Sequence, residues 1–183
     1  MNYQSLNKFL MPEGFRGRGV ITVQLWWMVQ SSLFACSPQF AYKWRNFLLR
    51  MFGAKIGEGV IIRPNVRITY PWKLSVGDYS QIGDNAELYT LGTITIGKNA
   101  VISQKSYLCT GSHEYQLETF DIYQKPIVIE DQAWVATDVY IAPGVTIGKG
   151  SVIGARSSVY SDMPAGMICI GSPAKPLKPR ILA

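Results

Sequence analysis

The stretch "IEDQAWVATDVYIAPGVTIGKGSVIGARSSV", Ile129 to Val159, sets an aliphatic residue at every sixth position: Ile129, Val135, Ile141, Ile147, Ile153 and Val159. Four places after most of these stands a small or β-branched residue, as at Ala133, Val139, Val145, Ser151 and Ser157. A helix returns to its buried face about every 3.6 residues and a strand every second one, so neither alone gives a beat of six. A triangular parallel β-helix does. Each face takes six residues, its aliphatic points to the axis, and the small residue fits the corner. Stacked coils then pair edge to edge around a column of Ile, Val and Leu.

The same beat runs back towards the N-terminus. Ile96, Ile102 and Leu108 form one run, Val76, Ile82 and Leu88 another, and Ile56, Ile62, Ile68 and Leu74 the first. Two-residue slips at Leu74–Val76 and Gly92–Ile96 read as corner bulges. A larger break falls in "YLCTGSHEYQLETFDIYQKP", Tyr107 to Pro126. There "TGSH" reads as the end of a regular coil, and Glu114 to Lys125 as an excursion, because Ile127–Ile129 restores the beat. Long loops on regular scaffolds commonly carry function. This one follows His113, the only histidine in 183 residues. The expected fold is an all-β solenoid over residues 54–180, with a protruding loop at 114–126 and a C-terminal tail.

Residues 1–53 read as an N-terminal helical extension. Val20 to Cys36 is apolar but short for a membrane span and is interrupted by Gln24, Gln30, Ser31 and Ser32. It reads as a helix packed on protein, with a membrane interface as the other reading. Ser37 to Phe52 reads as a second helix, with Ser37 as cap, Pro38 in the first turn and Gly53 closing it. Phe40, Trp44, Phe47, Leu48 and Met51 form one stripe, read as core. The first 18 residues lack the apolar run of a secretory signal.

A composition 48% hydrophobic and 16% charged belongs to a folded protein. The net charge of +6 suggests an anionic partner: a phosphorylated cofactor, an acidic polymer or a lipid surface. No zinc-finger, helix-turn-helix or aromatic RNA-binding signature accompanies it, so nucleic acid is not expected. Cys36, Cys109 and Cys169 form no close pair, which favours a reducing, cytoplasmic compartment.

The repeats "IGEGV", "IGDNA" and "IGKNA", "TGSH" before a loop, the stretch quoted at the outset, and "GSPAKPLK" together carry a resemblance. Over roughly Ala54 to Arg180 the chain resembles the left-handed β-helix, hexapeptide-repeat acyltransferases, which move an acetyl group from acetyl-CoA to a hydroxyl or amine. It is most similar to the exopolysaccharide (colanic-acid type) O-acetyltransferases. The resemblance implies a homotrimer with an active site in each cleft between subunits. It implies His113 as the catalytic histidine and Trp134 as the tryptophan lining the cleft. Ala136, Thr137 and Ala155 match the pantetheine groove, and Lys175 and Lys178 match basic residues near the CoA phosphates. Tyr160 and Ser161 depart from a Thr-Lys pair common in the family. An acceptor asparagine of some relatives is replaced around Glu87 to Tyr89, which makes Glu87 and Tyr89 the acceptor candidates.

The chemistry asks for little more. A thioester is already activated, so the alcohol is the partner that needs help. A positioned imidazole, with an ordinary pKa of about 6.5, can take its proton near neutrality. A backbone N–H would stabilise the tetrahedral oxyanion, and the imidazolium would then protonate the departing CoA thiolate. Cys109 beside His113 raises an acyl-enzyme as an alternative, but it occupies the small position after Leu108. No metal is expected: the carbonic anhydrases on this solenoid bind zinc through three histidines, and this chain has one. Sugar-nucleotide pyrophosphorylases need a further domain for which there is no room. An N-acetyltransferase acting on an amino sugar and a non-catalytic β-helix scaffold remain the rivals. The expected acceptor is a sugar or lipid-linked saccharide. Trp26, Trp27, Lys43, Trp44, Arg45 and Arg50 raise a peripheral contact with the inner face of the membrane, or else cover the end of the solenoid.

Overall fold

In the computed structural model, which describes residues 3–182, the beat of six becomes three parallel sheets wound about one axis. The first face stacks Lys55–Ile56, Leu74–Val76, Ile94–Ile96, Ile127–Ile129 and Thr146–Ile147. The second stacks Ile61–Ile62, Gln81–Ile82, Val101–Ile102, Trp134–Val135, Val152–Ile153 and Met167–Gly171, with Ala174–Pro179 folded back antiparallel on the last. The third stacks Arg67–Ile68, Glu87–Tyr89, Tyr107–Cys109, Tyr140–Ile141 and Ser158–Val159. Register matches aliphatic to aliphatic, as in the column Ile62, Ile82, Ile102, Val135, Ile153 and Cys169. That column is buried throughout.

The corner positions are buried as their small size predicts, and the serines among them are paired. Ser80, Ser106 and Ser151 donate to the carbonyls of Gly97, Ala136 and Pro164 at 2.6–2.7 Å. A buried hydroxyl without such a partner is costly. The glycine after the aliphatic has a separate cause. A Cβ on Gly77 would lie 2.7 Å from the Gly97 carbonyl carbon and the Lys98 nitrogen, which are backbone atoms of the next coil.

The slips are not bulges. A 3-10 turn, Pro71–Lys73, leads into Leu74–Val76, and both Leu74 and Val76 point inward. Leu74 stacks on Ile94 and Ile94 on Ile127, so three successive coils carry the same two-residue enlargement at the same corner. The excursion leaves from this corner, and it begins earlier than the sequence suggested. Gly111–His113 is already its first strand, paired antiparallel with Ile122–Gln124. His113 therefore stands in a hairpin and not at the end of a coil.

The extension departs furthest from expectation. Helix α1 spans Val20–Val29 and α2 spans Tyr42–Met51. Ser37 does not cap α2, which starts five residues later from Ala41; its hydroxyl instead donates to the Phe34 carbonyl at 2.6 Å. Gly53, at φ +91, does close the helix: its N–H reaches Arg50 O at 2.9 Å and that of Ala54 reaches Leu49 O at 3.0 Å. The stripe read as core faces out, with Phe40 81%, Met51 68% and Phe47 50% exposed, and only Leu48 of the five buried. Arg45 and Asn46 point inward in its place.

The cause is the open edge of the first coil. Its unpaired carbonyls need donors, and an apolar stripe has none. Arg45 Nε donates to Ile62 O at 2.7 Å, Asn46 Nδ2 to Val60 O at 2.8 Å and Arg50 Nη2 to Ile56 O at 2.9 Å. In α1, Trp26 Nε1 donates to Ile68 O at 2.7 Å. Trp26 and Arg45, both fully buried, thus cover the solenoid and are removed from the set of membrane candidates.

Candidate active site

His113 owes its place to the hairpin at the enlarged corner. The hairpin root is fastened by Thr110, whose carbonyl accepts the Lys125 N–H and whose hydroxyl accepts the Gly92 N–H, both at 2.8 Å. Within the hairpin His113 pairs with Ile122. The intervening loop is closed by Glu114 N–H to Asp121 O at 2.8 Å and Phe120 N–H to Leu117 O at 3.0 Å.

The half-buried imidazole has Nδ1 2.8 Å from the Phe120 carbonyl oxygen. A carbonyl only accepts, so Nδ1 carries the proton and Nε2 keeps its lone pair. The Phe120 ring stacks on the imidazole, centroids 4.2 Å apart and planes within 8°. Phe9 packs at 6.1 Å from another side. It is brought there by the N-terminal segment, which is strapped to the loop. Ser5 N–H donates to Glu118 O at 2.8 Å, and the Lys8 ammonium lies 2.9 Å from the Glu118 carboxylate. The result is an imidazole with one tautomer and one orientation. Neither Phe120 nor Phe9 was found by sequence reasoning, because a backbone carbonyl and a long-range ring contact leave no local pattern.

Cys109 is buried, and its Sγ lies 3.0 Å from Gly111 O, turned towards its own chain. Among the described residues no group of three His, Cys, Asp or Glu side chains is placed to hold a metal.

The acceptor candidates Glu87 and Tyr89 lie on the third face, one coil below Tyr107 and Cys109. Tyr89 belongs to an aromatic ladder that the sequence did not suggest. Tyr89, Tyr107, Tyr140 and Tyr160 follow one another at centroid distances of 6.1, 5.8 and 5.7 Å. Partial burial raises Tyr89 and Tyr107 above the usual tyrosine value and, aided by the Cys109 thiol, pushes Tyr140 up to about 12.

The residues matched to CoA gather on the second face. Trp134, Val152, Ile168 and Lys178 stand in register on four adjacent strands. At about 4.8 Å per strand, Trp134 and Lys178 lie roughly 14 Å apart along the face. The next row runs from Ala136 through Gly154 to Ile170, which pairs with Lys175. Ala136 is buried and forms a floor with Gly154, while Trp134 is 46% exposed and forms a wall, its Nε1 donating to Ser103 Oγ at 3.0 Å. Thr137 and the exposed Ala155 follow at the next corner, and Thr137 Oγ1 donates to Gln104 O at 3.0 Å. Such a trough, small at its floor, aromatic on one side and basic at its end, fits an extended apolar arm ending in phosphates. It does not contain His113. Within one chain His113 stands in the hairpin and the trough on the second face, and no hydrogen bond or ring contact joins His113 to Trp134 among the described residues.

Known proteins share this chain's repeats and fold. Residues 126–160 match the bacterial transferase hexapeptide family of six repeats. The chain is 60% identical to the "Putative colanic acid biosynthesis acetyltransferase WcaF" of Escherichia coli (strain K12), over 97% of this chain and 98% of that protein. It is 31% identical to the galactoside O-acetyltransferase of the same organism, over 73% of this chain and 68% of that one. Among solved structures, the hexapeptide-repeat acetyltransferase VCA0836 of Vibrio cholerae O1 biovar eltor, complexed with acetyl coenzyme A, superposes with a TM-score of 0.78. It is 27% identical, and the match covers 88% of each chain.

Proposed function

The chain belongs to the hexapeptide-repeat acetyltransferases, and from that premise we propose that it acetylates a saccharide hydroxyl in exopolysaccharide assembly, using acetyl-CoA as donor. The observation that carries the catalytic part is the single imidazole with Nδ1 held on the Phe120 carbonyl. Nε2 of His113 takes the acceptor hydroxyl proton as the oxygen attacks the thioester carbonyl. The tetrahedral adduct collapses, the carbon–sulfur bond breaks, and the same nitrogen returns the proton to the departing thiolate. No covalent enzyme intermediate is needed.

The trough of Trp134, Ala136, Thr137, Ala155, Lys175 and Lys178 would hold the donor. Glu87 and Tyr89 would face the acceptor, a free or lipid-linked saccharide. Because the base stands in the hairpin and the trough on the second face of one chain, the complete site would be formed between copies, and a homotrimer would close three such clefts. Most of the remaining acceleration is the orientation of two substrates in that cleft.

The test is a donor and acceptor screen that reads CoA release, with product position assigned by mass spectrometry. Transfer to a saccharide hydroxyl, abolished by His113→Ala in a protein of unchanged mass in solution, is the expected result. Transfer only to an amino sugar nitrogen overturns the acceptor assignment. Undiminished turnover of the variant overturns the mechanism.

A further inference from the structure

The net positive charge of this protein comes from its N-terminal segment. Residues 1–57 hold seven Lys and Arg against one acid, Glu13, so the whole +6 resides there; the remaining residues carry eleven of each sign. Of those seven cations, Arg45 is buried and Lys8 pairs with Glu118. Arg16, Arg18, Lys43, Arg50 and Lys55 have no carboxylate within ion-pair distance among the described residues.

The same segment turns apolar stripes to solvent. On α1, Ile21, Leu25 and Met28 recur at helical spacing on the exposed side, while Val23 and Trp26 are buried. On α2, Trp44, Phe47 and Met51 do the same. The stripes adjoin, since Trp44 Nε1 donates to Leu33 O at 3.1 Å in the connection between the helices, and Trp44 and Phe47 stack at 5.9 Å. The indole N–H of Trp27, like that of Trp44, is tied to a backbone carbonyl, so both rings present apolar surface. Among the described residues no helix is long and apolar enough to cross a membrane.

We propose that the outward side of α1 and α2 is a docking face for a bilayer surface with anionic headgroups, the two helices lying in the interface. Aromatic and aliphatic side chains at helical spacing partition into the boundary layer, and cations around them meet the headgroup phosphates. Charge selects this occupant over a second copy of the chain. Two copies joined through this face would bring all their net positive charge together, whereas an anionic leaflet neutralises it. The proposal is independent of acetyl transfer and is read without an activity.

The experiment sediments the full-length protein with vesicles of phosphatidylcholine alone or with about one-third phosphatidylglycerol. Binding to the anionic vesicles should exceed that to neutral ones by about tenfold or more and weaken as salt rises from about 0.1 to 0.5 M. Phe47→Glu should lower anionic binding at least about tenfold and Lys43→Glu severalfold. Both positions are exposed, so circular dichroism and the thermal midpoint should match the parent protein. Absence of binding to anionic vesicles overturns the proposal, as does binding indifferent to both substitutions. A fall in the solution mass of vesicle-free Phe47→Glu also overturns it, because the face would then belong to a second copy.

Discussion

In His113→Asn the side-chain amide can still donate to the Phe120 carbonyl, where the imidazole Nδ1–H now bonds at 2.8 Å. What disappears is the lone pair of Nε2. The chain has no second histidine to replace it, so the full contribution of a positioned general base is lost, about 10²- to 10⁴-fold in kcat. At about 1.36 kcal/mol per decade this is ~2.7–5.4 kcal/mol of transition-state stabilisation. KM for acetyl-CoA should hold within about twofold, because the substitution leaves Trp134, Lys175 and Lys178, the side chains that would hold the donor, unchanged. The assay is steady-state CoA release at saturating acceptor, with solution mass and thermal midpoint as controls. A variant within about threefold of the parent kcat would refute the reasoning, as would a loss lying wholly in KM for the donor.

Further outcomes follow from single contacts. Gly77→Ala forces a methyl to 2.7 Å from backbone of the next coil and should cost about 1–3 kcal/mol in urea unfolding; no change would mean the coils can separate. Arg45→Met leaves the carbonyls of Ile62 and Gln39 without their Arg45 donor, while that of Pro38 keeps the Ala41 N–H. It should destabilise by about 3 kcal/mol or more on the same measurement. Lys178→Ala should raise KM for acetyl-CoA about tenfold with kcat little altered, measured by the CoA-release assay. Tyr140 has its folded pKa raised from 10.0 to about 12. The stability this group contributes is therefore complete below about pH 10 and is lost as pH rises through about 12. Urea midpoints should fall across that window, and Tyr140→Phe should lessen the fall.

The solenoid was legible in the chain because its physics is local and repeated. An inward aliphatic, a small corner residue and a glycine where the next coil approaches must recur at every face, and repetition makes them visible. His113 was legible for the opposite reason: it is single, and it stands where the repetition stops. The two slips were visible as breaks in count, but their meaning was not. Only stacking reveals that Leu74, Ile94 and Ile127 enlarge one corner in three successive coils and provide the point of departure for the hairpin.

What tertiary structure alone decided concerns groups without a periodic signature. The tautomer of His113 depends on a carbonyl seven residues away, and its ring packing depends on Phe9 at the far end of the chain. The orientation of α2 inverts the reading of its stripe, since hydrophobic periodicity names an apolar face but not what lies opposite. Here the opposite surface is a row of unpaired carbonyls, and Arg45, Asn46 and Arg50 satisfy it at the expense of burying Trp44, Phe47 and Met51. The sequence by itself determined a β-helix with one exceptional imidazole. Where that imidazole keeps its proton, and which side of the helical cap meets the outside, were decided by hydrogen-bond donors and acceptors that only the folded chain brings together.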